Sequence, residues 1–529
     1  MEEPAMSLSI HPPAPSPGDS EGRGFGALRN PRAFVQVFLG VFLRDLESFF
    51  PGCRVEAIGP SDAARARFPG TRYRPGVGLD FQLVEESPGG RSSSVSASLF
   101  GNWYRIVAPG PMGLGPEDVR LIRSMGLVLS LNYQILFRRS PMSVLHLLRG
   151  MPEDHYIAAF LEPSAYEAAA AAPSRIAEAI LTLRMMALST YENRRVSTGA
   201  LIVGEGSLEG APVLRRPPPD ALALGVELTS LKSLSRLCDG RRTLLLVDGA
   251  GKLVDVVDVR RWIEREGLDA DQDDPELGVP CARRYEAHAR ATRAGGHVCL
   301  VLSPHQEIKV FAGGVEAFAF AHGRWRVLDP TSKFEVWREA VASPWLARTL
   351  FQTALELAEE RKGGLLVVFP APSQVIGRLI APEDVLGPAW TDAEPEPAPD
   401  GVRRPPPSTS PLTLLMAEGP PGTGLGESPT KRSIHYLAEG RSILSMDPSV
   451  VEAFASLDGA LATDGEGRLL AFGAILRHDL SPVGANSRGT AEGARTTAAL
   501  VASRFGPVLK ISEDGVISCF LNGERVWDL

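Results

Sequence analysis

The stretch Leu457-Asp458-Gly459-Ala460-Leu461-Ala462-Thr463-Asp464-Gly465-Glu466-Gly467-Arg468-Leu469-Leu470-Ala471-Phe472-Gly473 decides the fold of the C-terminal third. Two apolar strand-like runs, 460–463 and 469–473, flank the turn Asp464-Gly-Glu-Gly467. Glycine supplies the positive φ that a tight hairpin turn needs. A helical run at about 449–456 leads into the stretch. Further upstream stand a helix over about 345–361 and a buried-looking strand, Gly364-Leu-Leu-Val-Val-Phe369. Downstream, a helix over about 493–504 precedes strands at 508–511, 516–521 and 525–527. Helices alternating with strands make this an α/β unit with a mixed sheet.

The whole chain has 529 residues, enough for two to four domains. Apolar content of 44% and charged content of 22% are ordinary for a globular protein. A net charge of −8 argues against nucleic acid as the main partner, because phosphate contacts need a basic face. The five cysteines form no CxxC pair, so the sequence predicts reduced thiols, a cytoplasmic protein and no zinc site. Residues 1–24 read as a disordered leader without the apolar core of a signal peptide. In 34–50, Phe34, Val37, Phe38, Val41 and Phe42 recur at helical spacing. Gln36, Arg44, Asp45 and Glu47 make that run too polar for a transmembrane segment.

Three structured regions are expected. Residues 25–206 read as an N-terminal α/β region, with strands at 94–99, 103–107 and 200–203 and helices at 116–129 and 174–188. A Pro-rich linker follows, containing Arg215-Arg216-Pro217-Pro218-Pro219. A second domain over 221–342 opens with a helix at 224–238 and a hairpin, Thr243–Val247 and 252–257, around Asp248-Gly-Ala-Gly251. After an acidic loop at 269–276 come a helix at 283–294 and four more strands. The third domain is 345–529, interrupted by a Pro/Gly-rich insertion at 387–430.

Domains two and three share a pattern. Asp248-Gly-Ala-Gly-Lys252-Leu253 matches Asp464-Gly-Glu-Gly-Arg468-Leu469. Farther on, Ser303 is followed by Ile308, Phe311 and Gly314, and Ser512 by Ile517, Phe520 and Gly523, at identical offsets of 5, 8 and 11. Either the second domain is a degenerate copy of the third, or any two hairpin-rich α/β domains would match this well. In the copy reading, Arg242 stands where the third domain has Asp458.

Several third-domain residues carry chemistry. Asp458 is a carboxylate between a helix and a strand, suited to a divalent metal or a hydroxyl proton. Gly459 lets a ligand approach the backbone, with Ala460 beside it. Gly493-Ala494-Arg495-Thr496-Thr497 opens a helix, whose free N–H groups suit phosphate, and Arg495 adds a planar donor fork. Ser512 and Glu513 follow at a strand end.

The order Asp458-Gly459-Ala460, then Gly493-Ala494-Arg495, then Ser512-Glu513-Asp514-Gly515 resembles the diadenylate cyclase domain. The opening helix, with Ala354-Leu-Glu-Leu-Ala358, fits the start of that domain. Upstream, the arrangement is similar to members that carry a sensor domain ahead of the cyclase. The resemblance implies that Asp458 binds the metal, Mn²⁺ or Mg²⁺, and the 3′-hydroxyl. It implies that Gly459 and Ala460 line the nucleotide and that Gly493, Arg495, Thr496 and Thr497 surround phosphate. Ser512 and Glu513 would border the triphosphate and metal. The implied reaction condenses two ATP to cyclic di-AMP and pyrophosphate, in a homo-oligomer with facing cyclase domains. Where the family reads Gly-Thr-Arg-His-Arg, this chain has Gly493-Ala-Arg-Thr-Thr497. Two threonines replace a His and an Arg, which leaves open a catalytically impaired sensor of ATP or a cyclic dinucleotide.

Other signals read as structure. Gly419-Pro-Pro-Gly-Thr-Gly424 lacks the lysine of a P-loop, since Leu425 stands there. His478 reads as a loop residue, and the remaining histidines show no metal spacing.

Overall fold

The computed structural model describes residues 31–58, 81–85, 91–137, 148–167, 174–204, 220–231, 237–267, 278–386, 431–477 and 493–529. The leader, the Arg215–Pro219 run, the acidic loop, the 387–430 insertion and His478 lie outside the described residues. The protein is mixed α/β, with three main sheets. The first is antiparallel and four-stranded, in the order β1 (Arg54–Ile58), β4 (Asn102–Val107), β3 (Ser94–Leu99), β2 (Phe81–Glu85). Helices Pro31–Phe49 and Pro116–Phe137 cover it. Phe42 and Leu46 from the first join Leu121, Ile122 and Met125 from the second in one buried cluster.

After the small hairpin β5 (Thr190–Tyr191) and β6 (Arg194–Arg195) comes β7 (Thr198–Ile202). β7 lies between β10 and β8 inside a seven-stranded sheet with β8 (Thr243–Val247), β9 (Leu253–Asp258), β10 (Val298–Leu302), β11 (Ile308–Ala312), β12 (Val315–Ala321) and β13 (Arg324–Val327). The third sheet is six-stranded: β14 (Gly364–Phe369), β15 (Ala460–Asp464), β16 (Leu469–Ala474), β17 (Val508–Ile511), β18 (Ile517–Leu521) and β19 (Glu524–Asp528).

The last two sheets have one topology. The seven-stranded order is 13-12-11-10-7-8-9 and the six-stranded order is 19-18-17-14-15-16, so β7 to β12 match β14 to β19 strand for strand. Directions match too: β7 and β8 pair in parallel, as do β14 and β15, while β7–β10 and β14–β17 are antiparallel. The turns repeat in atomic detail. Asp248 Oδ1 accepts from the N–H of Ala250 (2.9 Å) and Lys252 (2.8 Å). Asp464 Oδ1 accepts from Glu466 (2.9 Å) and Arg468 (2.8 Å). An irregularity in pairing falls between Val310 and Phe311 in one sheet and at the equivalent Cys519 and Phe520 in the other. The serine offsets therefore mark a repeated fold.

The repeat moves a boundary. The sequence placed 200–203 in the N-terminal region, yet β7 is an interior strand of the second sheet, and the helix Arg175–Ala187 precedes it as Pro344–Glu359 precedes β14. The second unit thus begins near Ser174. The sequence missed this because a parallel central strand pairs with partners distant in the chain. Of the helix expected at 224–238, Val226–Ser230 is a 3-10 turn, Leu237 is helical, and 232–236 lie outside the described residues.

Each central strand is buried on both faces. Along β10, Val298, Leu300 and Leu302 face one cluster, and Cys299 and Val301 face the other. Along β14, Leu366 and Val368 face one cluster, and Leu365, Val367 and Phe369 face the other. Each such side chain contributes roughly 1.5–3 kcal/mol. The helix Pro344–Glu359 starts with Pro344, whose missing N–H costs nothing there. It points Leu346, Leu350, Phe351, Ala354 and Leu357 at the six-stranded sheet. A second stripe faces the other unit. There Glu359 Oε2 lies 2.8 Å from Lys309 Nζ, and Lys309 lies 3.1 Å from Glu316. Glu356 accepts from Arg283 Nε at 3.0 Å. Burial works against the Lys309 charge, yet Glu316 and Glu359 raise its pKa above the ordinary value.

Lys309→Met removes the buried cation from between Glu359 and the half-buried Glu316, so it is expected to cost about 3–5 kcal/mol in urea unfolding. A second expectation concerns His288. Burial pushes its imidazole down from 6.5 to about 4, while its Nε2 bonds the Gly240 carbonyl at 3.1 Å. Between those values the unfolded chain binds the extra proton. This contribution is therefore complete above pH 6.5 and is lost as pH falls toward about 4. The loss should be on the order of 3 kcal/mol, and absent in His288→Gln, when unfolding is compared at pH 7 and 4.5.

Candidate functional site

The expected site residues lie at the edge of the six-stranded sheet where β14 and β15 begin and β17 ends. Gly364 pairs with Ile511, and Ala460 with Ala474, which aligns these ends. The helix Ala494–Ala502 covers one face, and its first turn reaches the same edge. Its free N–H groups and dipole favour an anion there.

Asp458 and Arg495 meet at this edge. Arg495 Nη2 is 3.5 Å from Asp458 Oδ1, and the Asp458 side chain is 98% exposed. Exposed pairs of this kind are worth about 0–1 kcal/mol, so a phosphate can displace the carboxylate from the guanidinium at small cost. Gly363 makes room for this arginine, since a Cβ there would sit 2.2 Å from Arg495 Nη1. Gly363 was not among the candidates read from the sequence, and its place just before β14 was the available signal.

Gly459 has a backbone reason to be glycine. Its φ is +114°, and a Cβ would lie 2.3 Å from the Gly473 carbonyl carbon. The space read as room for a ligand is filled by the neighbouring strand. Ala460 is buried in the core, so only its backbone reaches the edge. The Gly493 carbonyl accepts from the N–H groups of Thr496 (2.8 Å) and Thr497 (3.2 Å). Thr496 is buried, and Thr497 is half-buried.

Ser512 and Glu513 stand on the far side of β14. One strand separates β15 from β17, so the two groups are roughly 10 Å apart. Ser512 is a turn residue. Its hydroxyl bonds the Asp514 carboxylate and the Val516 carbonyl, and with the Val516 N–H it holds the Asp514 carboxyl below its ordinary pKa. Arg361 fastens the turn to the preceding unit by bonding the Asp514 carbonyl and pairing with Glu307. Glu513 points into solvent. The structure therefore brings together Asp458, Arg495 and the helix start, and leaves Ser512 and Glu513 apart from them.

Among the described residues, no group of three or more His, Cys, Asp or Glu is placed to hold a metal ion. Asp458 alone suits a cation that takes one protein carboxylate and completes its shell with water and substrate phosphate, as Mg²⁺ does. A cleft of about 750 Å³ opens elsewhere, against Arg242 and Glu286 of the second unit.

No family model matches this chain, and no curated protein matches it. Six chains of solved structure match. One is described as a hypothetical membrane spanning protein from Bacillus cereus, 16% identical over 37% of this chain and 70% of that one, with a TM-score of 0.23. A likeness this weak supports no statement about fold or function. Among the described residues, no helix is long and apolar enough to cross a membrane.

Gly459→Ala tests the backbone reading. It combines a left-handed φ with a backbone clash, and should destabilise the chain by about 2 kcal/mol or more in chemical denaturation, with no ligand present.

Proposed function

We propose that the unit spanning 345–529 binds ATP at the Asp458–Arg495 edge and acts as a diadenylate cyclase. The observation that carries this is one exposed carboxylate 3.5 Å from one guanidinium, beside the first turn of a helix at an open sheet edge. In the reaction, the 3′-oxygen of each ATP attacks the α-phosphorus of the other. Two P–O bonds form, two break, and two pyrophosphates leave with cyclic di-AMP as product. Asp458 takes up the hydroxyl proton or orients that hydroxyl, and Arg495 holds phosphate oxygens as charge shifts to the leaving group. Mg²⁺ or Mn²⁺, held by Asp458, would neutralise phosphate charge when bound. The exposure of Asp458 suits a homo-oligomer in which two such edges face each other across the substrates. The upstream units would act as the regulatory part.

A specific observation favours a second reading. Thr496 is buried and neither threonine carries charge, so Arg495 is the one cation that this helix start offers. A missing charge-assisted contact is worth roughly 1.5–3 kcal/mol. That suits a sensor that binds ATP or a cyclic dinucleotide without turnover.

Incubation of the full chain with ATP and Mn²⁺ or Mg²⁺, with products resolved by chromatography, separates the readings. Cyclic di-AMP is expected from the wild type and none from Asp458→Asn. Calorimetric binding of ATP without product would support the sensor, and neither product nor binding would overturn both.

A further inference from the structure

The fold repeat places a second site opposite the first. Six residues before the hairpin aspartate, the third unit has Asp458 and the second has Arg242. Seventeen residues before the turn serine, the third has Arg495 and the second has Glu286. The charges of the pair are inverted at equivalent positions. The equivalent edges also differ in shelter. The Asp458 carboxylate is open to solvent, whereas the second unit's edge forms one wall of the 750 Å³ cleft. The other wall belongs to the third unit, with Glu356 on one helix and Ser449 and Glu452 on the next. This volume lies in the usual range for small-molecule sites.

Three guanidiniums at this edge, Arg241, Arg242 and Arg260, have no ion pair among the described residues. The backbone gathers them. Asp239 Oδ1 accepts from the N–H groups of Arg241 (2.8 Å), Arg242 (2.7 Å) and Thr243 (3.0 Å). The Arg242 carbonyl accepts from Val259 at 3.0 Å, which brings Arg260 beside it. Nearby carboxylates are largely committed. Asp258 caps the helix Val259–Arg265 through the N–H groups of Arg260 and Arg261. Glu356 and Glu452 each lie 3.0 Å from Arg283, and Glu360 lies 2.6 Å from Lys362. Glu264, Glu286, Arg283, Arg284 and Arg290 also line the cleft, so its charge is mixed, with Arg241, Arg242 and Arg260 gathered at its β8 end.

We propose that this cleft is a regulatory site for a polyphosphate-bearing small molecule, distinct from the Asp458 edge. Planar guanidiniums match phosphate oxygens in pairs, and three gathered cations repel one another until an anion joins them. With Arg242 at the position of Asp458, this edge offers a guanidinium for phosphate where the third unit offers a carboxylate. The bound molecule would touch both units. It would sit against the helix Pro448–Ala455, which ends just before Asp458, and so bear on the candidate catalytic edge.

The test is calorimetric titration of the full chain, without divalent metal, with inorganic tripolyphosphate and separately with ATP. Three proteins are compared: wild type, Arg242→Glu/Arg260→Glu, and Asp458→Asn/Arg495→Ala. Tripolyphosphate should bind the wild type and the Asp458 variant alike, and the Arg242 variant about ten- to a hundredfold more weakly. Tighter binding of ATP by the wild type than by the Arg242 variant would identify a nucleotide, and binding of tripolyphosphate alone an inorganic polyphosphate. Both arginines are exposed, and circular dichroism with the single variants Arg242→Gln and Arg260→Gln checks that folding is intact. Equal affinity in the wild type and Arg242 variant, loss only in the Asp458 variant, or no binding to the wild type would each overturn the proposal. Failure of the cyclase assay leaves this result untouched.

Discussion

The buried cation of Lys309, held between Glu316 of its own sheet and Glu359 of the next unit, sets how the two repeated units meet. A charge removed from water is tolerated only when its partners and geometry are right. Few relative placements of the two units satisfy that condition. Arg284 approaches Glu359 at 3.5 Å, and Arg283 reaches both Glu356 and Glu452, so the restraint runs along the whole junction. The helix Pro344–Glu359 thereby serves two cores. Its apolar stripe closes the third unit, and its acidic stripe docks on the second.

From that docking follows the difference between the two equivalent sheet edges. In the second unit, the edge faces the neighbouring helices and becomes one wall of a cleft. In the third unit, the corresponding edge faces away, and Asp458 stands in solvent. One topology thus offers one sheltered and one open edge, with opposite charges at matching positions. An open edge suits a reaction completed by a second molecule of the chain. A sheltered edge between units suits a ligand whose occupancy is felt by both.

The candidate site separates into parts of different kinds. Asp458 is exposed and Arg495 half-buried, and their loose pairing leaves both able to exchange partners. Gly459, Ala460, Thr496 and Ser512 are occupied with holding the local backbone, through a left-handed φ, core burial or turn hydrogen bonds. Motif letters place such residues together because the fold needs them there, whether or not a ligand ever comes. Arg361, absent from the sequence reading, ties the Ser512 turn to Glu307 and so links the edges of both units.

By itself the sequence determined the local elements. Alternation of apolar runs with Gly-rich turns gave the hairpins around Asp248 and Asp464, and the run Gly364–Phe369 gave a strand buried on both faces. Equal serine offsets signalled the repeat, because hairpin geometry ties residue spacing to register. Asp458 and Arg495 were both candidates in the sequence, and the tertiary structure brings them to one edge. What the tertiary structure alone decided is long-range. Strand β7 joins a sheet whose other strands begin about forty residues later, since parallel pairing leaves no local mark in the chain. Glu356 and Glu359 are buried because their partners come from another unit, which the helix's own sequence does not mark. Whether an arginine cluster is a wet surface or the wall of a cleft depends on what packs opposite it, and residue spacing along one chain segment carries no record of that.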